Sequence, residues 1–457
     1  MGDGLRTSLE QRQALQAGTV TSRELVEAAL RRAEATAGLG AFVSLAPDVA
    51  LAEADAADRL LAATPPDERV SLPPLLGLPT GHKDLVDVAG QPTTQGSRAV
   101  RHLVAAVDDP VPAAIRAAGA VSIGKTQVPE FGLTAYSEND VAPPARNPHE
   151  PALTAGGSSG GTAAALASGV FPAAIGSDAG GSIRIPSAAC GLVGLKPGRG
   201  RVPADRPRVP DPLGAPDLAV SGPMAVTVDD AALWFDALVG DHSLTGLAAL
   251  RHADGPSGLR IGVSEDSPFS AQLPIRHDDA ALAAVRHAAA TFEAAGHHVE
   301  EARISYDPRY PDEFTTVWTS ALTRIPLDTA ARARLGELAA MFLQRALATP
   351  EARLREAIRV LAEFSVDAVA QWSAYDVVLT PALAGPPPEI GAFRSLGPEG
   401  DYRLQCLWAP LTSMVNVTGA PAIVFPFPGE RPPRGVQLIG RTGTERLLLQ
   451  LAAQATR

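Results

Sequence analysis

Hydrophobic positions in this chain follow two rhythms that alternate along its length. In 22–35, opened by Thr21 or Ser22, the residues Leu25, Ala28, Ala29 and Leu30 fall toward one side, which predicts a helix, and 8–16 reads the same way. A short apolar run at 41–45 predicts a strand, 48–63 and 112–118 helices, and 120–124 another strand. After a proline-rich connection at 203–216 the alternation resumes, with helices expected at 227–238 and 279–295 and strands at 259–263 and 299–304. The stretch 314–372 reads as mostly helical, and strands at 376–380 and 436–439 precede a closing helix at 444–455. Strands interleaved with helices predict an α/β fold, a single domain whose central mixed, partly parallel sheet is covered by helices on both faces. Within 1–457 this gives an N-terminal helical segment at 1–70, a motif-rich core at 71–203 and a helical cap at 314–372.

Composition narrows the class. Of 457 residues, 46% are hydrophobic and 19% charged, the profile of a compact globular chain with a sizeable core. A net charge of −11 and the lack of any Lys/Arg block leave no footprint for a phosphate backbone, so nucleic acid is not expected as a direct partner. No run approaches the roughly 20 apolar residues of a membrane span, and the N-terminus holds no apolar signal core. Cys190 and Cys406 form neither a disulfide framework nor a C-x-x-C pattern, which fits a reducing cytoplasm, and no metal or cofactor is expected. A homodimer is left open.

One bias changes the search for chemistry. Of 39 basic residues only three are lysines, Lys83, Lys125 and Lys196. Arginine does not lose its proton in a protein, so a site that needs a neutral amine must keep lysine.

The densest signal is A-G-G-S-S-G-G-T-A-A-A-L-A-S-G at 155–169, followed by G-S-D-A-G-G-S-I-R-I-P at 176–186. In 156–200, 12 of 45 residues are glycine, against 42 in the whole chain. Small residues at 162–168 suit a tightly packed helix and 172–177 a strand returning toward its start. A rise of roughly 16 Å over about 11 helical residues against roughly 20 Å over about six strand residues brings the two serine loops together. Ser158 then precedes a helix and Ser182 follows a strand, where open α/β sheets place ligands. Serine needs a base. No histidine lies in either cluster, whereas Lys83 ends an apolar segment in L-P-T-G-H-K-D-L-V-D at 78–87. Burial without a close acidic partner would bring its pKa from about 10.4 toward 7 or 8, where a base works at neutral pH.

These segments together resemble the amidase signature family, whose hallmark is a G-G-S-S-G-G loop, a G-G-S-I-R loop and a preceding K-D. The likeness runs from about Gly77 to Val202 through G-K-T-Q-V-P-E-F, A-R-N-P and C-G-L-V-G-L-K-P, and returns in N-V-T-G-A-P-A at 416–422. It implies Lys83 as base, Ser158 as a bridging serine held by a cis peptide, and Ser182 as nucleophile. It also implies an oxyanion hole from the backbone N–H groups of Ala179, Gly180, Gly181 and Ser182. Gly157, Ser159, Asp178 and Arg184 are expected to support the loops, the last two as a buried ion pair. The activity implied is hydrolysis of a small carboxylic amide to acid and ammonia or amine through an acyl-enzyme. Two other readings stand beside it, the amide-hydrolysing A subunit of a tRNA-dependent amidotransferase and a retired amidase fold serving as a binding scaffold. Departures from the family pattern are His82 before the lysine, a candidate to tune it, Ala179, and Gly198 with Arg199.

Other patterns compete. Gly156 to Gly160 fits the G-x-S-x-G elbow, but a proline-rich loop at 142–151 stands where the elbow needs a strand. Ser122 to Lys125 fits S-x-x-K without any K-T-G. Gly119 to Thr126 fits the phosphate loop G-x-x-x-x-G-K-[ST], yet its interior is strand-like and Pro129 discourages a following helix. Cys190 reads as a small buried hydrophobe and Lys196 as a turn brace. Trp318, Phe342, Phe364 and Trp372 read as core, with an acyl-pocket wall as the alternative.

Overall fold

A computed structural model of the chain describes residues 5–205, 211–250, 255–427 and 433–456. The middle of the expected proline-rich connection, 206–210, lies outside the described residues. Polar caps open the first helices. Thr7 and Thr21 accept from the N–H groups of Glu10 and Glu24, whose carboxylates reach back to the cap, and the helices run Ser8–Ala17 and Ser22–Ala35.

The main sheet has eight strands in the order His298–Glu301, Arg260–Val263, Val377–Pro381, Arg434–Gly440, Ala422–Phe427, Val193–Lys196, Val220–Ala225, Ala173–Asp178. Arg260–Val263 runs parallel to both neighbours, and every other pairing is antiparallel. A second sheet orders Phe42–Leu45, Val121–Thr126 and Pro79–Lys83, the last two parallel. The fold is α/β with a mixed sheet.

Helices cover both faces of the larger sheet. Val228–Leu238, Asp279–Ala294 and Glu445–Thr456 bury Trp234, Phe235, Phe292 and Leu448 against one side. Trp234 is fully buried, and its indole N–H donates to Ser8 Oγ at 2.9 Å, which satisfies its polar end and fastens the first helix to the core. On the other side lie Arg184–Cys190, Tyr310–Ser320, Glu351–Trp372 and Ser413–Thr418.

In the two larger sheets four strands escape the pattern reading, Pro79–Lys83, Val193–Lys196, Val220–Ala225 and Ala422–Phe427. They are short, hold Gly, Pro or Lys, and are buried on both sides except at Pro426, so no apolar/polar alternation marks them. The strand expected at 299–304 stops at Glu301, because its partner offers only Arg260 to Val263 for pairing. The stretch 314–372 is four helices, Tyr310–Ser320, Thr329–Arg332, Glu337–Ala348 and Glu351–Trp372, with a short 3-10 turn between the first two.

Candidate active site

Three segments meet at the C-terminal ends of two strands. Lys83 is the last residue of Pro79–Lys83, and Ser182 follows Asp178, the last residue of Ala173–Asp178. Thr80 Oγ1 donates to the Ala173 carbonyl at 3.1 Å and holds these strands side by side. Ser158 lies just before the helix Gly160–Ala167, which at eight residues is shorter than expected but still returns the chain to the same point. The Gly157–Ser158 peptide is cis. At Gly157 a side chain is excluded, since a Cβ would stand 2.6 Å from the Tyr136 backbone.

Lys83 is buried and donates to Ser158 Oγ at 2.8 Å, to the Ser177 carbonyl at 3.0 Å and to Ser177 Oγ at 3.1 Å. No carboxylate pairs with it among the described residues. Burial pushes its pKa down to about 8, against the weaker opposing pull of Asp205 and Asp178. Ser159 N–H donates to the Ser182 carbonyl at 3.2 Å and ties the two loops together. The Ser158 and Ser182 hydroxyls are not directly bonded. Ser182 Oγ has no hydrogen-bond partner among the described residues and opens onto a pocket.

A polar cage fixes the second loop. Asp178 and Arg184, both fully buried, pair twice at 2.9 Å. Arg184 also donates to Gln437 Oε1 and Asn416 Oδ1 at 2.7 Å each, and Asn416 Nδ2 returns a bond to the Asp178 carbonyl at 2.8 Å. Burial pushes the Asp178 carboxyl up, but Arg184, Lys196 and Asn416 outweigh it and hold the group ionised. The same carboxylate takes the Gly181 N–H at 2.8 Å. That corrects the expected set of oxyanion donors: a buried carboxylate needs its donors, and Gly181 supplies one. The N–H groups of Ala179, Gly180 and Ser182 have no acceptor among the described residues. Gly181 itself sits at φ +132°, and a Cβ there would stand 2.5 Å from Thr412 Oγ1.

The pocket in front of Ser182 is walled by Leu133, Ile185, Phe269, Phe314, Trp318 and Tyr402, with Thr134, Gln405, Cys406 and Ser413 as polar points. No lining residue carries a charge. Phe314 and Trp318 stack at 5.6 Å. Of the four aromatic residues considered in the sequence, Trp318 lines this pocket, whereas Phe342, Phe364 and Trp372 are buried in the core. Helical periodicity marks a buried face but does not say whether that face meets core or cavity.

All three lysines are buried, so burial alone does not single out Lys83. Lys125 pairs with Asp84 at 3.0 Å, both fully buried. Lys196 is pushed down to about 7 by burial, then by Arg184, but it donates to the Pro197 carbonyl at 2.9 Å and, among the described residues, to no serine. His82 points away from Lys83, since neighbours on a strand alternate, and lies in register with Lys125. Burial, then Lys125 and Arg116, lower its pKa to about 3, so it is neutral wherever Lys83 titrates.

The phosphate-loop lookalike is the buried strand Val121–Thr126 with Lys125 in its ion pair, followed by a 3-10 turn at Glu130–Gly132 and not by an α-helix. The elbow lookalike does have a strand upstream, Glu150–Thr154, but this belongs to a two-stranded ribbon outside the main sheet. Sequence reasoning did not find Ser177, Asn416 and Gln437 as supports. Asn416 could have been found from the N-V-T-G-A-P-A phrase, while Gln437 sits unmarked in an apolar strand.

The fold brings Lys83, Ser158 and Ser182 to one place, and comparison with known proteins puts the chain in a family. The model for Amidase matches residues 24–449, and the chain belongs to the amidase signature family. It is 39% identical over 452 residues to "Putative amidase AmiB2" of Mycobacterium tuberculosis (strain ATCC 25618 / H37Rv), covering 96% of this chain and 92% of the relative. Among solved structures, 6-aminohexanoate cyclic dimer hydrolase complexed with substrate superposes with a TM-score of 0.85 at 28% identity, covering 99% of this chain and 97% of that one. A bacterial aryl acylamidase superposes with a TM-score of 0.83 at 25% identity, covering 99% and 96%. The chain is an amidase, a hydrolase of amide C–N bonds. Among the described residues no helix is long and apolar enough to cross a membrane.

Proposed function

We propose that Ser182 is the nucleophile, Ser158 the proton shuttle and Lys83 the base of an amidase acting on neutral carboxamides with an apolar acyl group. The observation that carries this reading is the 2.8 Å contact from a buried, unpaired Lys83 to Ser158 beside a Ser182 hydroxyl that opens onto an uncharged pocket. With a pKa of about 8, a usable fraction of Lys83 is neutral near pH 7. Neutral Lys83 takes the Ser158 proton while Ser158 takes the Ser182 proton, and Ser182 Oγ bonds to the carbonyl carbon. The N–H groups of Ala179, Gly180 and Ser182 receive the oxyanion. Collapse breaks the C–N bond as Ser158 donates its proton to the nitrogen and recovers one from Lys83, and the amine departs. Water then attacks the ester by the reverse proton route, releasing the acid and restoring neutral Lys83. The Ser158–Ser182 link closes when substrate fills the pocket.

The chain works as one amidase domain with the helices of 314–372 as its cap, supported by Phe314 and Trp318 in the pocket wall. Two unbonded, buried cysteines fit a cytoplasmic setting. The amidotransferase-subunit reading requires glutamine, whose α-ammonium and carboxylate would meet no partner in an uncharged pocket. The test is to assay the purified single chain on hexanamide, 3-phenylpropanamide and L-glutamine. The apolar amides are expected to exceed glutamine in kcat/KM by about 100-fold or more. Comparable glutamine turnover, or activity only with a partner chain, would favour the subunit reading.

A further inference from the structure

A second cavity lies beside the segment 132–134, next to the Ser182 pocket, and Leu133 and Thr134 line both. Gly132 stands over Ser158, close enough that a Cβ there would be 3.4 Å from Ser158 Oγ. A polar bridge also joins the two spaces. Gln405, in the wall of the first, accepts from the Ala135 N–H at 2.9 Å and donates to Asp401, in the wall of the second, at 2.7 Å. In the mechanism proposed above, Ser158 hands its proton to the leaving nitrogen. That nitrogen and its substituent therefore lie on the Ser158 side of the scissile bond, the side of 132–134 and of the second cavity.

The two cavities differ in charge. The first has none, whereas the second holds the half-buried Glu130 and Glu138 and the buried Asp401. Glu130 accepts from Ser97 Oγ at 2.5 Å and from the Gly336 N–H at 2.9 Å. Glu138 accepts from the Gly391 N–H at 3.0 Å, and Asp401 accepts from Tyr136 Oη at 2.5 Å. None of the three forms an ion pair among the described residues. The arginines of this cavity, Arg98, Arg334 and Arg394, sit on the exposed rim, where Arg394 pairs with Asp140 at 3.1 Å. Burial, the first cause in each case, pushes all three carboxyls above their ordinary values, against the weaker opposing pull of Arg394.

We infer that this second cavity is the subsite for the amine half of the substrate and selects amides whose amine carries a second, cationic nitrogen, such as N-(aminoalkyl) carboxamides. The inference rests on the assignment of Ser158 as donor to the leaving group. A charge-assisted contact to Glu138 or Glu130 distinguishes such a substrate from a neutral one of the same length.

The test compares N-(4-aminobutyl)hexanamide with the near-isosteric N-pentylhexanamide on the purified chain, with hexanamide assayed alongside. The cationic amide is expected to be preferred by about tenfold in kcat/KM. Glu138→Gln, which keeps an acceptor for Gly391, should cut that ratio by about threefold or more, and 1,4-diaminobutane should inhibit more strongly than pentylamine. A ratio near one, or a ratio unmoved by both Glu138→Gln and Glu130→Gln, overturns the subsite while hexanamide turnover leaves the amidase reading standing. An inert hexanamide overturns the reading on which both rest.

Discussion

The two walls of the Ser182 cleft are built on different principles. One is made of loops whose positions are dictated by buried polar groups: Asp178, Arg184, Asn416 and Gln437 satisfy one another, and Gly157 and Gly181 let backbones approach where any side chain would collide. The other is a helical wall of stacked and edge-on rings, Phe269, Phe314 and Trp318, held by apolar packing. Removing one partner from the first wall leaves an uncompensated charge. Resizing a ring in the second leaves only a cavity that neighbours partly fill. Chemistry therefore depends on the polar wall, and specificity can drift on the aromatic one.

Substitutions that break this contrast fall in a clear order. Ser182→Ala should lower kcat/KM by about 10⁴-fold or more, with an unchanged melting temperature. Lys83→Met should lower it by about 10²- to 10⁴-fold yet raise stability near pH 7 by about 1–2 kcal/mol, because the wild type buries an amine with a depressed pKa. The sign follows from linkage. The penalty is full below the folded value of about 8 and lifts as pH rises toward the unfolded value of 10.5. Thermal unfolding at pH 7 and pH 10 should show the advantage of the variant shrinking at the higher pH. Arg184→Met strands Asp178 and should cost about 3–5 kcal/mol, read as a fall in the urea midpoint. Trp318→Ala should move the preference between 3-phenylpropanamide and hexanamide by about tenfold, mainly in KM, with kcat changed by less. An Arg184 variant as mild as Trp318→Ala would remove the distinction between the walls.

The same contrast explains what the sequence disclosed. The polar wall was largely legible, because glycine at a crowded backbone, serine beside it and lysine in an arginine-rich chain are residue types that few other roles require. Asp178 and Arg184 were visible as a flanking pair, but Ser177 was not, since a serine in a buried strand carries no signal of facing Lys83. Gln437 was hidden among apolar neighbours for the same reason. The aromatic wall was only partly legible: Trp318 and Phe364 look alike in a helical pattern, and only packing puts one at the cavity and the other in the core. The helix Gly397–Trp408, which lends residues to both cavities, was missed because Gly397, Pro398 and Gly400 read as turn punctuation.

The central claim is that Ser182 is activated by Lys83 through Ser158. A fluorophosphonate reagent, with the modified residue mapped by peptide mass spectrometry across pH 6 to 9, tests it most directly. The account predicts a single phosphonylated residue, Ser182, labelled faster as pH rises through about 8, the folded value of Lys83, with no labelling in Ser182→Ala. Labelling of Ser158 in that variant, or a wild-type rate indifferent to pH across this range, would contradict it.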